Sequence, residues 1–380
     1  MTERTVLEAR VVTGEGGGPD KTILNTNRYM AERGYPSVCV YLRSPNDSGF
    51  SAIEEKARRW QAPLEAVDDN GPLDFKILKR LRAVCDRHHP AIWHGHDYKT
   101  NFFGLLLARS RPMTLITTLH GWVKRTWKTP LYYAIDRRCI RRYAAVIAVS
   151  QDLFDAAIQC GVPPDRCFLV PNAIDGEEFR RTIPVVDAKA AKGVDPKRPL
   201  IGAAGRLSPE KGFDSLIHAA ADLIAEGVDL QLLIAGEGDD RKRLESIIAE
   251  RRVNASVSLI GFHQDLSVFY QSLDVFVLSS LREGLPNVVL EAMAFGAPVL
   301  ATDVAGMPSI INDGRTGILI DRADRCTLSN GLRRLLESEY LRRDLAKAAR
   351  ALIENKFSLA RRMDRMKEIY DLTLERAGRP

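Results

Sequence analysis

Residues 275–292 read VFVLSSLREGLPNVVLEA, and this stretch decides the fold. The apolar run 275–278 predicts a buried strand, and residues 287–295 predict a helix with Pro286 at its first turn. A strand that passes through a short loop into a helix is the repeating unit of a doubly wound parallel sheet. In such sheets ligands bind beyond the carboxyl ends of the strands, so this loop is a candidate binding site.

The same unit recurs in two series along the 380 residues. Strands are predicted at residues 5–12, 37–42, 91–93, 114–118 and 145–149, then at 200–204, 229–235, 257–260, 275–278 and 298–301. Helices are predicted at 22–33, 72–87, 100–109 and 130–142, then at 210–226, 239–251, 266–272 and 287–295, with three more from about 325 to 374. Residues 172–199 have no strong period and predict an interdomain linker. We expect a domain at 1–180, a domain at 181–357, and a terminal helix at about 358–380 that packs back on the first.

Composition excludes several classes of protein. With 45% hydrophobic and 27% charged residues, the chain is neither disordered nor collagen-like. No run approaches the roughly 18 apolar residues of a membrane-spanning helix, and the N-terminus predicts no signal peptide. The six cysteines are scattered without a CxxC pair, which favours a reducing cytosol.

The net charge of +6 is unevenly distributed. Residues 73–143 contain 15 lysines and arginines against 4 acidic residues, about +11, together with five of the seven histidines. A basic face indicates an anionic partner, which is a phosphorylated acceptor, an anionic lipid or a nucleic acid. A solvated helix face is an equally good interpretation of the charge alone.

The glycine-rich loop at residues 14–18 follows the first predicted strand. Glycines let backbone amides approach an oxygen-rich ligand, and a following helix favours an anion. A dinucleotide fingerprint needs a third glycine, but Pro19 and Asp20 follow instead, and no carboxylate ends the second strand. The alternative is a tight turn without a ligand.

Two loops of the second series carry charged residues suited to a nucleotide. Arg206 offers a planar donor fork and Lys211 a point charge, a combination suited to a diphosphate, although the spacing is wrong for a P-loop. A carboxylate such as Glu283 or Glu291 near a helix start suits vicinal hydroxyls, as on a ribose, and the free amides of residues 287–288 suit a phosphate. The alternatives are an ordinary charged helix start and two surface acids.

Histidines lie at two neighbouring strand ends of the first series. His120 follows residues 114–119, and His94, His96 and Asp97 end the preceding strand. Two histidines and an acid are compatible with a metal, but no third cluster is visible in the sequence, so lining of an acceptor pocket is favoured. For His120 a core histidine is the alternative.

Several motifs in order carry a resemblance. Glu283 and Glu291, with Gly284, Leu285 and Pro286 between them, resemble the signature of retaining glycosyltransferase family 4, which has the GT-B fold. Other matching segments are the glycine-rich loop, TLHG at 118–121, VPNAID at 170–175, GRL at 205–207 with KG at 211–212, IAGEG at 234–238, GAPV at 296–299 and DGRTG at 313–317. The resemblance implies an α/β protein with two tandem Rossmann-like, doubly wound domains that face a central cleft.

The resemblance also assigns site residues. It implies that Arg206 and Lys211 contact the diphosphate, that Glu291 binds ribose hydroxyls, and that Glu283 touches the transferred sugar. The resemblance implies a catalytic set of His120, Glu283, Arg206 and Lys211. The remaining donor-binding residues are Gly16, Gly17, Gly236, Phe262, Gly284, Leu285, Pro286, Asn287 and Val288, and the acceptor-side residues are Gly18, His94, His96 and Trp122.

The implied activity is retaining, metal-independent transfer of a sugar from a UDP-, GDP- or ADP-sugar, with no cofactor. Cations and a helix N-terminus would stabilise the leaving diphosphate. The basic stretch predicts an anionic or lipid-linked acceptor and peripheral attachment to the inner face of a membrane by a cytoplasmic protein. A GT-B sugar-nucleotide 2-epimerase and a non-enzymatic nucleic-acid-binding protein are the alternatives; no nucleic-acid recognition motif is present.

Overall fold

The computed structural model describes residues 4–71, 74, 76–121, 129–263, 265–283, 285–304 and 306–378, and the side chains of all of these except 129–131. The chain forms two compact units. Unit 1 comprises Met1–Asn172 and Ala360–Pro380, and unit 2 comprises Ala173–Leu359. Each unit is built on its own parallel sheet.

The sheet of unit 1 has seven parallel strands in the order β3-β2-β1-β4-β5-β6-β7. Its strands are β1 (Val6–Val11), β2 (Ser37–Arg43), β3 (Leu64–Asp68), β4 (Ile92–Gly95), β5 (Thr114–Leu119), β6 (Ala145–Ala148) and β7 (Cys167–Leu169). Its helices are α1 (Gly18–Met30), α2 (Phe50–Arg59), α3 (Ile77–His88), α4 (Tyr98–Leu107), α5 (Thr129–Ile140) and α6 (Gln151–Gln159). The central strands are apolar and buried because helices cover both faces of a parallel sheet.

The sheet of unit 2 has six parallel strands in the order β10-β9-β8-β11-β12-β13. They are β8 (Leu200–Ala204), β9 (Gln231–Ala235), β10 (Val257–Gly261), β11 (Val275–Leu278), β12 (Val299–Thr302) and β13 (Ile318–Ile320). The helices are α7 (Val185–Ala191), α8 (Phe213–Ala225), α9 (Arg241–Glu250), α10 (Ser267–Ser272), α11 (Asn287–Ala294), α12 (Met307–Ile310), α13 (Arg325–Glu337) and α14 (Glu339–Lys356). An apolar core of α8, α9 and α13 residues packs on this sheet.

The last helix, α15 (Leu359–Arg376), belongs to unit 1 from Ala360 onward. Arg362 is buried and donates to the carbonyl oxygens of Val170, at 2.7 Å, and Pro171. Tyr370 lies against the sheet, where its hydroxyl contacts His94. The chain therefore returns to complete the unit in which it began.

Residues 172–199, which the sequence predicts as a linker, contain α7. Lys189 on this helix is buried, and its Nζ lies 2.6 Å from Asp274 Oδ2 and 2.8 Å from the carbonyl oxygen of Arg198. Asp274 also accepts from the amide of Leu200 at 2.7 Å. The chain passes from unit 1 to unit 2 at the start of this stretch, and the rest of it belongs to unit 2, where the buried ion pair of Lys189 holds a helix whose apolar pattern is weak.

Candidate functional site

The strand order of unit 2 reverses at β8 and β11, which lie side by side in the sheet. Crevices at such a switch point are the usual ligand sites of open α/β sheets. The loops after these two strands are joined: Ser279 Oγ donates to the carbonyl oxygen of Lys211 at 2.9 Å, and the amide of Leu281 donates to the carbonyl oxygen of Glu210 at 2.8 Å. The joined loops place Lys211 beside Glu283.

Lys211 and Glu283 form an ion pair, and both side chains are largely buried. Ser280 Oγ donates to the same carboxylate oxygen of Glu283 at 2.7 Å. Arg206, in the loop after β8, is exposed to solvent. The structure thus brings Lys211 and Glu283 into contact, and Arg206 stands in the loop that carries Lys211.

The loops after β8, β9 and β10 are held together by their backbones. The amide of Gly205 donates to Ala235 at 2.9 Å, and the amide of Gly236 donates to Gly261 at 2.8 Å. Gly236 has a φ of 143°, and a Cβ there would lie 1.8 Å from the carbonyl oxygen of Gly205. Only glycine fits at this position, so the fold requires Gly236 whether or not a ligand binds nearby.

Phe262 follows β10 at the same edge of the sheet, and 46% of its surface is exposed. Solitary exposed apolar residues are common on protein surfaces, so exposure alone assigns no role. Its position after the carboxyl end of a strand makes the ring available for packing against a flat ligand such as a base.

The helix α11 begins at Asn287, and Pro286 is its N-cap in an extended conformation without a side-chain cap. The helix therefore begins at the residue that the sequence predicts, with Pro286 immediately before its first turn. Asn287 and Val288 are partly exposed, whereas Leu285 and Glu291 are buried. Gly284 lies outside the described residues.

Glu291 is 2% exposed and lies beside Tyr270 of α10. Burial raises the pKa of Tyr270 well above its usual value, and the charge and hydrogen bonding of Glu291 raise it further. The Tyr270 ring stacks on Phe295 with centroids 5.7 Å apart. Tyr270 is a neighbour of the site that sequence reasoning missed, because nothing in the chain spacing connects it to Glu291.

In unit 1 the glycine-rich loop is held by two aspartates. The amide of Gly14 donates to Asp47 Oδ2 at 2.7 Å, and the amide of Gly17 donates to Asp20 Oδ2 at 2.6 Å. Asp20 is buried and also pairs with Arg10 at 2.9 Å. Asp20, which follows Pro19 at the point where a dinucleotide fingerprint needs its third glycine, thus anchors the loop, and the Gly17 amide has a partner within the protein.

Gly16 has a φ of 78°, and a Cβ there would lie 2.8 Å from Asp20 Oδ2. Gly18 is the first residue of α1. Both glycines stand at the carboxyl end of β1, at the same edge of the sheet as His96 and His120, which follow β4 and β5.

His94, His96 and His120 lie on one face of the sheet with Glu8. The register pairs Glu8 with His94, and the alternation of side chains along the strands places His96 and His120 on that face too. His96 Nε2 lies 2.6 Å from Glu8 Oε2, and His96 Nδ1 lies 3.0 Å from His120 Nε2. Glu8, 1% exposed, is the acid that sequence reasoning missed, because the sequence does not show that β1 and β4 are neighbours.

Glu8, His94 and His96 bring potential metal-ligand atoms within 4.8 Å of one another. His94, however, uses Nδ1 toward the Tyr370 hydroxyl at 2.7 Å and Nε2 toward Thr118 Oγ1 at 2.8 Å. His96 uses both nitrogens as well. Since every ring nitrogen of these two histidines has a protein partner, the cluster has the organisation of a hydrogen-bond network, and we assign no metal to it.

Burial and charge shift the pKa values of this network. Burial would raise the pKa of Glu8, but His94 and His96 outweigh it and hold that pKa below its usual range. Burial and His94 lower the pKa of His96 to about 4, against the opposing effect of Glu8. Burial lowers the pKa of His120 well below its usual value, with further lowering from His96 and Arg10. Glu8 is therefore an ionised carboxylate, and the imidazoles of His96 and His120 are neutral near pH 7.

The basic stretch is partly neutralised by neighbouring acids. The cations Lys99, Arg87, Arg111 and Arg80 pair with Asp69, Glu65, Asp86 and Asp74. Arg138 and Arg142 are exposed at the end of α5, close in sequence to the exposed Ile135. Residues 122–128, including Trp122 and three of the cations, lie outside the described residues. Among the helices that are described, none is both long and apolar enough to cross a bilayer.

The comparisons with known proteins agree across the chain. The family model described as Glycosyl transferases group 1 matches residues 186–352, and the one described as Glycosyltransferase Family 4 matches residues 16–178. The alpha-D-kanosaminyltransferase of Streptomyces kanamyceticus is 35% identical over 313 residues, 78% of each chain. The UDP-Gal:alpha-D-GlcNAc-diphosphoundecaprenol alpha-1,3-galactosyltransferase of Escherichia coli is 26% identical over 328 residues, 84% of each chain.

Among solved structures, Anabaena Alr3699/HepE in complex with UDP-glucose has a TM-score of 0.84 at 20% identity, over 97% of this chain and 99% of that chain. This likeness, together with the sheets of seven and six parallel strands, shows the GT-B fold with two tandem Rossmann-like domains, as the sequence predicts. With matches to both families and a relative at 35% identity, the chain belongs to the group 1, family 4 glycosyltransferases.

Proposed function

We propose that this glycosyltransferase moves a sugar from a nucleotide-diphosphate sugar to a hydroxyl of a glycan or lipid-linked acceptor. The transfer retains the anomeric configuration and needs no metal ion. The relatives include a capsular polysaccharide biosynthesis glycosyltransferase of Staphylococcus aureus and the galactosyltransferase of Escherichia coli, whose name gives a UDP-sugar donor and a diphosphoundecaprenol acceptor. A role in cell-surface polysaccharide or glycolipid biosynthesis follows.

The contact between Lys211 and Glu283 at the switch point of unit 2 carries the proposal. It sets a cation and a carboxylate side by side where the loops after β8 and β11 meet. The cation suits the donor diphosphate, and the carboxylate suits hydroxyls of the transferred sugar. The N-terminus of α11, which has no side-chain cap, follows in the same loop and suits the phosphate.

The protein contributes charge and orientation to this chemistry. Lys211 and Arg206 stabilise the negative charge that develops on the leaving diphosphate, and this preorganised charge acts in the transition state. Glu291 holds the ribose and fixes the donor relative to the acceptor hydroxyl. The departing phosphate oxygen takes the acceptor proton on the same face of the sugar, which retains the configuration.

The basic end of α5 supports an anionic acceptor. Asn101 Nδ2 donates to Asp136 Oδ1 at 2.8 Å, and Tyr98 stacks on Tyr132 at 4.8 Å, so α5 is fixed to α4. Cations next to exposed apolar side chains favour docking on an anionic bilayer. We place the enzyme at the inner face of the membrane, in the cytoplasm. Sedimentation with anionic phosphatidylglycerol vesicles at low salt tests this placement, and absence of co-sedimentation contradicts it.

Donor turnover tests the reaction class. The purified chain is incubated with UDP-, GDP- and ADP-sugars, and release of nucleoside diphosphate is measured. We expect release from at least one donor, and an NMR spectrum of the product with the anomeric configuration of the donor. Release of nucleoside diphosphate without any donor preference or transferred sugar, or a 2-epimerised donor, contradicts the proposal. Turnover that EDTA abolishes and Mg²⁺ restores contradicts metal independence.

A further inference from the structure

A chain of three side chains leads from the sheet of unit 1 to His120. Glu8 on β1, His96 beyond β4 and His120 beyond β5 belong to three neighbouring strands of one parallel sheet. Glu8 and His96 are buried, and His120 is partly exposed. The order of the strands therefore builds a path of hydrogen bonds from the core to the edge of the sheet.

The hydrogen bonds along this path are short, and the rings of its two histidines are stacked. Glu8 Oε2 lies 2.6 Å from His96 Nε2, and His96 Nδ1 lies 3.0 Å from His120 Nε2. The rings of His96 and His120 are 28° from parallel, with centroids 5.2 Å apart. Tyr370 donates its hydroxyl to the other Glu8 oxygen at 3.2 Å, so the carboxylate is held from a second side.

The protonation of each nitrogen follows from its partner. An ionised carboxylate only accepts, so His96 Nε2 carries the proton and donates it to Glu8. A neutral His96 then has an unprotonated Nδ1, which accepts from His120 Nε2. A neutral His120 with its proton on Nε2 has a lone pair on Nδ1.

His120 Nδ1 is buried and has no hydrogen-bond partner among the described residues. Buried polar atoms in folded proteins almost always have a partner, so an orphaned acceptor points to a ligand donor. The ligand group must carry a hydrogen, which admits a hydroxyl and excludes a deprotonated phosphate oxygen.

We propose that Glu8 and His96 are positioning residues that hold His120 with its proton on Nε2, so that Nδ1 accepts a hydrogen bond from a substrate hydroxyl. The identity of the hydroxyl, on the donor sugar or the acceptor, rests on the proposed function. The tautomer of His120 does not depend on the proposed function, because it follows from the contacts with His96 and Glu8 alone. His94 also approaches Glu8, with its Nδ1 3.2 Å from Glu8 Oε2, but its ring nitrogens face Glu8, Tyr370 and Thr118, so it does not form part of the path from Glu8 through His96 to His120.

The surrounding charges maintain the neutral state of His120. Burial is the main cause of the lowered pKa of His120, and Arg10 on β1 and Arg362 on α15 further oppose a positive charge on this ring. Arg10 is itself paired with Asp20, and Arg362 donates to backbone carbonyl oxygens. An imidazolium at position 120 would meet cations from two elements, so proton transfer to His120 is disfavoured and hydrogen-bond acceptance is favoured.

Imidazole ¹⁵N NMR of the full chain tests the tautomer without any substrate. The His120 signals are assigned by their loss in His120→Gln. We expect a protonated Nε2 and an unprotonated Nδ1, with at least about a tenfold excess of this tautomer, because one buried hydrogen bond is of that order. A protonated Nδ1 in the wild-type chain overturns the proposal.

Two substitutions test what holds the tautomer. His96→Phe keeps an aromatic ring between its neighbours but removes the acceptor, so His120 should populate both tautomers within about threefold of each other. Thr118→Val is the control, since it removes a partner of His94 at a similarly buried position and should leave His120 unchanged. A tautomer that is the same in His96→Phe as in wild type overturns the positioning role.

Turnover with the nucleotide sugar that releases most nucleoside diphosphate tests the hydroxyl contact. His120→Asn retains an acceptor oxygen near the place of Nδ1 and should keep turnover within about tenfold, whereas His120→Leu should lose roughly 10²-fold. Equal losses in both variants refute the hydroxyl contact. A wild-type chain with the expected tautomer but no turnover contradicts the proposed function and not the tautomer.

Discussion

The two units organise their candidate sites by different means. In unit 2 the loops after β8, β9 and β10 are joined backbone to backbone at glycines, and the charged side chains project from this frame. In unit 1 the polar side chains themselves form the frame, through hydrogen bonds from Glu8 to His96 and His120. We therefore expect unit 2 to be destabilised by a side chain in place of a glycine, and unit 1 to be destabilised by protonation of its buried histidines.

Adding one methyl group to the backbone frame should have the largest effect. Gly236→Ala places a Cβ 1.8 Å from the carbonyl oxygen of Gly205, so we expect a loss of more than about 4 kcal/mol in the free energy of unfolding. Gly227→Ala is the matched control, because Gly227 also has a positive φ, 92°, but no atom within 4 Å. Denaturant unfolding measures both, and equal losses would refute the steric explanation.

Protons should act on the side-chain frame of unit 1. The pKa of His96 is lowered from 6.5 to about 4, so between these pH values the unfolded chain binds more protons than the folded one. Acidification across this window should therefore destabilise the protein, with about 3 kcal/mol from His96 alone and a further loss from His120, whose pKa is also lowered. Below pH 4.5 Glu8, whose pKa is also lowered, adds to the loss.

Unfolding measured at several pH values gives this slope. His96→Gln should flatten it between pH 6.5 and 4, whereas His263→Gln, which changes an exposed histidine, should not. An identical slope in wild type and His96→Gln would show that the buried network does not control the acid response.

Removing either partner of the ion pair between Lys211 and Glu283 should lower activity more than it lowers stability. Lys211→Ala and Glu283→Gln should each lower turnover by roughly 10²-fold, about 2.7 kcal/mol in the barrier, as the loss of one preorganised contact does. Lys242→Ala removes an exposed lysine of α9 and should leave turnover unchanged. Near-normal turnover of both site variants would remove these residues from the mechanism.

The smallest expected effect is in the glycine-rich loop. Asp20→Asn weakens the bond to the Gly17 amide and the pair with Arg10, so we expect a loss of about 1 kcal/mol in unfolding free energy. Asp187→Asn, at an exposed position in the first turn of α7, should lose only a few tenths. A loss at Asp20 no larger than that at Asp187 would mean that the aspartate does not anchor the loop.

The sequence predicts all the central strands of both sheets and the edge strand β10, and it misses the other three edge strands. The missed strands β3, β7 and β13 all lie at sheet edges. Central strands are buried on both faces and appear as apolar runs, whereas β3 is partly exposed and contains Glu65 and Asp68. Apolar patterns in the sequence therefore identify strands that are buried in the core. They do not identify edge strands such as β3, which pair with one neighbouring strand and are partly exposed.

The same limit applies to the candidate sites. Arg206, Lys211 and Glu283 stand in loops after apolar strands, so their place is predicted from the chain alone. Glu8 is a single acid within an apolar strand, and only the register with His94 reveals its role. Contacts between strands that are distant in sequence cannot be predicted from the order of residues along the chain.

Nucleotide binding tests the central claim, which is that Lys211 and its neighbours in unit 2 hold the donor diphosphate. The melting temperature is measured with UDP, GDP and ADP for wild type, Lys211→Ala and Lys242→Ala. We expect at least one nucleotide to raise it, since saturation at 100 times Kd adds about 2.7 kcal/mol, with the rise lost in Lys211→Ala and kept in Lys242→Ala. No rise with any nucleotide, or the same rise in Lys211→Ala as in wild type, would contradict the account.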